Sequence, residues 1–118
     1  MQKNLSHSEQ ETSHIAARLS AALTGPVILC LKGDLGAGKS VFARALIRAL
    51  SGDEQLDVPS PTFTLVQTYD TADHEIWHFD LYRLEDPEEI YELGWEEALG
   101  EAIMIIEWPE RLGKLMPE

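Results

Sequence analysis

Eight consecutive residues, Gly33-Asp34-Leu35-Gly36-Ala37-Gly38-Lys39-Ser40, restrict what this chain can fold into more than any other stretch. They match G-x-x-x-x-G-K-[ST], and the flanks give the match its weight. Val27 to Leu31 is an unbroken apolar run of strand length just before it. Val41, Phe42, Ala45, Leu46, Ala49 and Leu50 follow at helical spacing, and Ser51-Gly52 closes that helix. A glycine turn with an incidental lysine would lack such flanks. The glycines let the backbone take positive φ and bring successive N–H groups around phosphates, at the positive end of the helix. Gly33, Asp34, Leu35, Gly36, Ala37 and Gly38 then form the cradle, with Val41 behind it. Lys39 reaches the β- and γ-phosphates, and the Ser40 hydroxyl ligates Mg²⁺.

Such a site needs a further acidic group at the carboxyl end of a neighbouring strand. Asp80 follows Ile76-Trp77-His78-Phe79, and Glu107 follows Ile103-Met104-Ile105-Ile106, so both meet this requirement. One would hold Mg²⁺, directly or through water, and the other would orient or deprotonate the attacking water. Either could also be an ordinary solvated strand end, and spacing does not divide the roles. Ser60-Pro61-Thr62 adds a threonine on a loop that could contact the γ-phosphate and Mg²⁺, although this tripeptide also suits an ordinary turn.

The remaining elements are those of one α/β domain over 1–118. Ser8 and Glu11 form a capping box for a helix carrying Ile15, Ala16, Leu19, Ala22 and Leu23, stopped by Gly25. Pro26 to Leu31 reads as a buried strand, and Asp53 to Pro61 as a surface loop. Phe63 to Tyr69 and Glu75 to Tyr82 read as an antiparallel hairpin turned by Asp70 to Asp73. Asp86, Pro87 and Glu89 start a third helix that Gly94 breaks before Trp95 to Leu99 resumes it. Ala102 to Ile106 is the last strand, ended by Pro109. The expected architecture is a three-layer sandwich around a mixed, largely parallel sheet, with the glycine-rich loop at its C-terminal edge.

Composition excludes several functions. The chain has 118 residues and a formal charge of −12, from 21 acidic and 9 basic residues, which opposes direct grip on a phosphate backbone. Leu84 to Ile106 carries eight carboxylates and neither Lys nor Arg. That is ordinarily a solvated helical face, and otherwise a docking face for a basic protein. No apolar run approaches the roughly 20 residues of a membrane span. Cys30, the only cysteine, allows neither an internal disulfide nor a cysteine-based zinc site, which suits a reducing cytoplasm. It reads as core packing, as do Trp77 and Trp95, whereas Trp108 beside Glu107 could face a ligand. His74 and His78, about 13 Å apart on an extended strand, are too far apart to share a metal.

Taken together, the blocks Gly33 to Ser40, Ser60-Pro61-Thr62-Phe63, His78-Phe79-Asp80-Leu81-Tyr82-Arg83 and Glu107-Trp108-Pro109-Glu110-Arg111 resemble the TsaE (YjeE) family, in this order and spacing. The resemblance implies an ATPase of bacterial tRNA threonylcarbamoyladenosine synthesis, with ATP as the nucleotide. It implies that Asp80 is the Mg²⁺-associated carboxylate and Thr62 a switch threonine, and that Glu107 and Trp108 serve nucleotide binding or turnover. It further implies TsaD and TsaB as partners, with tRNA held by them. Members of the family usually continue beyond Leu115-Met116-Pro117-Glu118 with further strands, so an open sheet edge is expected here. A nucleotide switch without significant hydrolysis is a second reading. A small-molecule kinase is a third, although 118 residues leave little room for an arginine-bearing lid.

Overall fold

The structure, a computed structural model, describes residues 9–23, 25–31, 36–59, 61, 64–71 and 74–115, with side chains from 14 in the first helix and from 41 in the second. Ser8, Gly33, Asp34, Leu35, Ser60, Thr62 and Phe63 lie outside the described residues, as do the side chains of Glu11 and of Gly36 to Ser40. The order of elements is helix α1 (Glu9–Ala22), strand β1 (Val27–Leu31), helix α2 (Gly36–Ser51), then strands β2 (Val66–Asp70) and β3 (Glu75–Asp80). A 3₁₀ helix over Pro87–Leu93, helix α3 (Trp95–Ala98), strand β4 (Ile103–Glu107) and a 3₁₀ segment over Pro109–Leu115 complete it.

The four strands run in the order β1-β4-β3-β2. β1 and β3 both pair parallel with β4, and β2 pairs antiparallel with β3. The hairpin and the mixed sheet therefore match the sequence expectation. β4 lies inside the sheet with helices on both sides, and all five of its residues are buried. This accounts for its continuous apolar run, as covered parallel strands require. β1 differs from the buried strand expected. All five of its residues, Cys30 included, are only half-buried, because among the described residues β1 has a hydrogen-bonded neighbour on one side alone.

Alternation along the strands divides the core in two. Ile76, Ile103 and Ile105 pack with Ala16 of α1 and with Ala43, Leu46 and Ile47 of α2. Phe79, Met104 and Ile106 turn the other way, against Ile90, Trp95, Ala98 and Leu112. The sheet is thus the middle of three layers. Each fully buried Ile or Leu contributes about 1.5–3 kcal/mol from area removed from water. Phe79 meets Trp95 edge-on, with ring centroids 5.6 Å apart, so Trp95 is core as expected.

Local chemistry sets the element ends. Asp86 accepts the Glu88 N–H at 3.0 Å while the Glu89 carboxylate accepts the Asp86 N–H, the capping box read from the sequence. The segment it starts is 3₁₀ rather than α. Gly94 ends it in the left-handed region (φ 91°), and α3 follows. The loop after α2 lies at the surface as expected, with Val58 as its buried anchor. Val58 is buried against the α1–α2 layer, and Arg48 Nε donates to the Leu56 carbonyl at 2.9 Å.

Candidate nucleotide site

Parallel strands point their carboxyl ends to one edge, and here three of them finish level. Leu31 of β1 pairs with Glu107 of β4, and Glu107 pairs with Asp80 of β3. β1 leads through residues 32–35 into α2, whose first residues, Gly36 to Ser40, complete the glycine-rich motif. The period-two pattern puts His78 and Asp80 on the face of Ile76, and Glu107 on the face of Ile103 and Ile105. That is the face α2 covers. The two sequence-expected carboxylates are therefore neighbours, on the α2 side of the sheet edge where β1 hands the chain to α2.

Both carboxylates are buried, Asp80 at 6% exposure and Glu107 at 1%. A buried carboxylate needs partners, since desolvation penalises its charge. Asp80 Oδ1 accepts the Tyr82 N–H at 3.2 Å, which ties the side chain to the turn leaving β3. Its own N–H donates to the Leu65 carbonyl at 3.0 Å, and the Leu65 N–H donates to Pro61 O at 2.7 Å. Leu65 and Pro61 are thereby linked through the backbone to Asp80. Leu65 takes a positive φ of 69°, a strained geometry of the kind that concentrates at ligand loops.

Glu107 has a partner that sequence reasoning missed. His78, 2% exposed, brings Nε2 to 2.7 Å from Glu107 Oε2. His78 sits two residues before Asp80 and so shares its face, which was the available signal. Linking it to Glu107 required the β3–β4 register. Among the described residues, His78 Nδ1 is buried without a hydrogen-bond partner.

Immediately after Glu107 the backbone turns through a positive φ at Trp108 (60°), unusual for a bulky residue. The turn leaves the Trp108 ring 5.1 Å from that of Tyr82, which is 52% exposed, and the Arg111 guanidinium lies 5.7 Å over the Tyr82 ring. Trp108 is partly buried against the Phe79–Ile106 side of the core, so it follows Glu107 in sequence while its ring packs on the layer opposite α2. Arg44 Nε, in contrast, donates to the Val58 carbonyl, so Arg44 and Arg48 both anchor the loop after α2.

Mg²⁺ takes hard oxygen ligands, keeps several waters and commonly uses one or two protein carboxylates plus phosphate oxygens. Two adjacent buried carboxylates fit that chemistry. Among the described residues no cluster of three or more His, Cys, Asp or Glu side chains could enclose a metal.

The α/β layering, the level parallel strands and the glycine-rich segment between β1 and α2 define a P-loop NTPase fold. The family model for threonylcarbamoyl adenosine biosynthesis protein TsaE matches residues 6–118. The chain belongs to the TsaE family. It is 48% identical over 110 residues to the tRNA threonylcarbamoyladenosine biosynthesis protein TsaE of Rickettsia felis, covering 93% of this chain and 64% of that one. The Aquifex aeolicus protein of the same name is 41% identical over 104 residues, which cover 88% of this chain and 74% of the relative. The chain also superposes on a crystal structure of Bacillus subtilis YdiB with a TM-score of 0.66 at 27% identity, covering 95% of this chain and 67% of that one. The chain thus spans under two thirds of the Rickettsia felis relative and more of the Aquifex one.

Proposed function

We propose that this chain is an ATPase that binds Mg-ATP and supports tRNA N6-threonylcarbamoyladenosine synthesis by a TsaD–TsaB complex. The observation that carries the reading is the pairing of Asp80 with Glu107 on the α2 face, one register step from the end of β1. A triphosphate held by the motif from Gly33 to Ser40 would have its terminal phosphates near this pair. Asp80 would hold Mg²⁺ together with the Ser40 hydroxyl, and Thr62 would contact the γ-phosphate. The ion, when bound, neutralises charge on the phosphate oxygens. Lys39 balances charge on the β- and γ-phosphates, Glu107 orients the attacking water and accepts its proton, and Trp108 borders the nucleotide.

The family name supports the pathway, and the charge supports the division of labour. A chain at −12 is a poor tRNA ligand, so the tRNA belongs with the partners, in the cytoplasm. No helix among the described residues is long and apolar enough to cross a membrane. Intrinsic turnover should be slow, because basic residues are few, Arg44 and Arg48 anchor a loop and the Arg111 guanidinium lies over Tyr82, and TsaD and TsaB supply what accelerates it. The test is ATP hydrolysis by the chain alone and with TsaD and TsaB, against Lys39→Ala. A weak, Lys39-dependent rate raised by the partners is expected. Equal rates in both conditions would defeat the coupling, and tight binding without turnover would make the chain a nucleotide switch.

A further inference from the structure

We propose that His78 is a positioning residue that holds the Glu107 carboxylate in its working orientation. The inference rests on the role in hydrolysis proposed for Glu107. A glutamate has three side-chain torsions, and a general base works only within hydrogen-bond reach of the proton it takes. Something must therefore select one rotamer. Glu107 ends the fully buried strand β4, and its Oε2 lies 2.7 Å from His78 Nε2 on the adjacent strand. The anchor is itself fixed. His78 is 2% exposed within β3, whose neighbours on both sides are paired to it along their lengths.

An ionised carboxylate only accepts, so a hydrogen bond at this contact has Nε2–H as its donor. The alternative neutral tautomer would aim the Nε2 lone pair at a carboxylate oxygen and repel it. The other ring nitrogen, Nδ1, has no partner among the described residues. Within those residues the ring's polar engagement is with Glu107 alone. A histidine kept inside a core for packing would cost less as leucine, because burying a polar ring atom without a partner is unfavourable. The arrangement repeats a general logic: a base oriented by a further group that does not touch the substrate.

The test compares steady-state ATP hydrolysis in the presence of TsaD and TsaB for His78→Leu, His78→Gln, Glu107→Gln and the double variant His78→Leu/Glu107→Gln. Binding of a fluorescent ATP analogue is measured alongside. Leucine fills the space without a donor, whereas the glutamine amide reaches the position of Nε2. The expected result for His78→Leu is a loss of about tenfold or more in kcat, with KM and analogue affinity within about twofold. His78→Gln recovers most of that loss, and the double variant is no slower than Glu107→Gln. Should His78→Leu fail to fold, His78→Asn, whose amide sits at the Nδ1 position, replaces it against His78→Gln. Wild-type kcat in His78→Leu overturns the inference. So does a loss that glutamine does not rescue, or one that multiplies with Glu107→Gln. Undiminished kcat in Glu107→Gln itself would instead sink the reading on which the inference stands.

Discussion

Asp80 and Glu107 are register partners at the carboxyl ends of adjacent parallel strands, and each is held by a different contact. Asp80 is tied to the backbone of its own turn through the Tyr82 N–H, and Glu107 to the His78 ring. Equivalent positions with different anchors point to different tasks. If Asp80 serves the metal and Glu107 the water, their neutral isosteres should separate. Asp80→Asn should weaken nucleotide binding in the presence of Mg²⁺ and change it little in EDTA. Glu107→Gln should bind Mg-ATP normally and hydrolyse it about 10²-fold more slowly or worse. Titrating both variants with and without Mg²⁺, then measuring single-turnover hydrolysis, decides it. Matching defects in the two variants would mean that the roles are not divided in this way.

Much of the frame was legible because its signals are local. The helix after the glycine-rich motif, the apolar runs, the hairpin and the Asp86 capping box each need only a few neighbouring residues, and each reappears in the structure. The order β1-β4-β3-β2 is not local. β4 is the latest of the described strands in sequence yet inserts between β1 and β3, so among the described residues β1 pairs on one side only and its five apolar residues are half-buried. The same insertion brings Glu107 to His78, a contact across 29 positions that no spacing rule reaches. Val58 looked like loop and is core, because Arg44 and Arg48 draw the segment after α2 back onto the helices. The sequence reads Pro109 as the end of the last strand and gives no sign of the 3₁₀ segment over Pro109–Leu115. Pro109 does end β4, but Leu112 behind it is buried and anchors a further turn.

Gly94 offers a test of the layer opposite α2. It takes φ 91°, and a Cβ built there would lie 2.7 Å from two atoms of the Trp77 ring. Gly94→Ala therefore combines left-handed strain with overpacking against a ring that cannot move without disturbing Phe79, stacked on it at 6.1 Å. The expected cost is about 2–4 kcal/mol. Urea unfolding measures it, and a change below about 0.5 kcal/mol, ordinary for a surface site, would mean that the ring yields freely.

The Asp86 cap should be worth less. Asp86→Ala removes the acceptor for the Glu88 N–H at an exposed helix start, while the Asp86 N–H can still donate to Glu89. A loss of about 1 kcal/mol is expected, with Asp86→Asn recovering most of it. Equal losses in both variants would assign the effect to charge at the helix start rather than to the cap.

Tyr69 makes the clearest pH prediction. Its hydroxyl is buried, and among the described residues it has no hydrogen-bond partner. Burial, and secondarily the charge of Asp57, raise its pKa above the ordinary 10.0. The neutral phenol is thus favoured in the folded state relative to the unfolded one. This contribution to stability is complete below pH 10.0 and is lost as the pH rises through the folded-state value. Tyr69→Phe removes both the unpaired hydroxyl and its titration. Near neutral pH the variant should equal the parent or gain about 1 kcal/mol, because an unsatisfied buried group is released. Denaturant unfolding of both proteins at about pH 8 and about pH 11 brackets the ordinary tyrosine pKa. The phenylalanine variant's advantage should widen at the higher pH, since other alkaline titrations are common to both and cancel in the difference. An advantage that stays constant or narrows would mean that the Tyr69 hydroxyl finds a partner or solvent in solution.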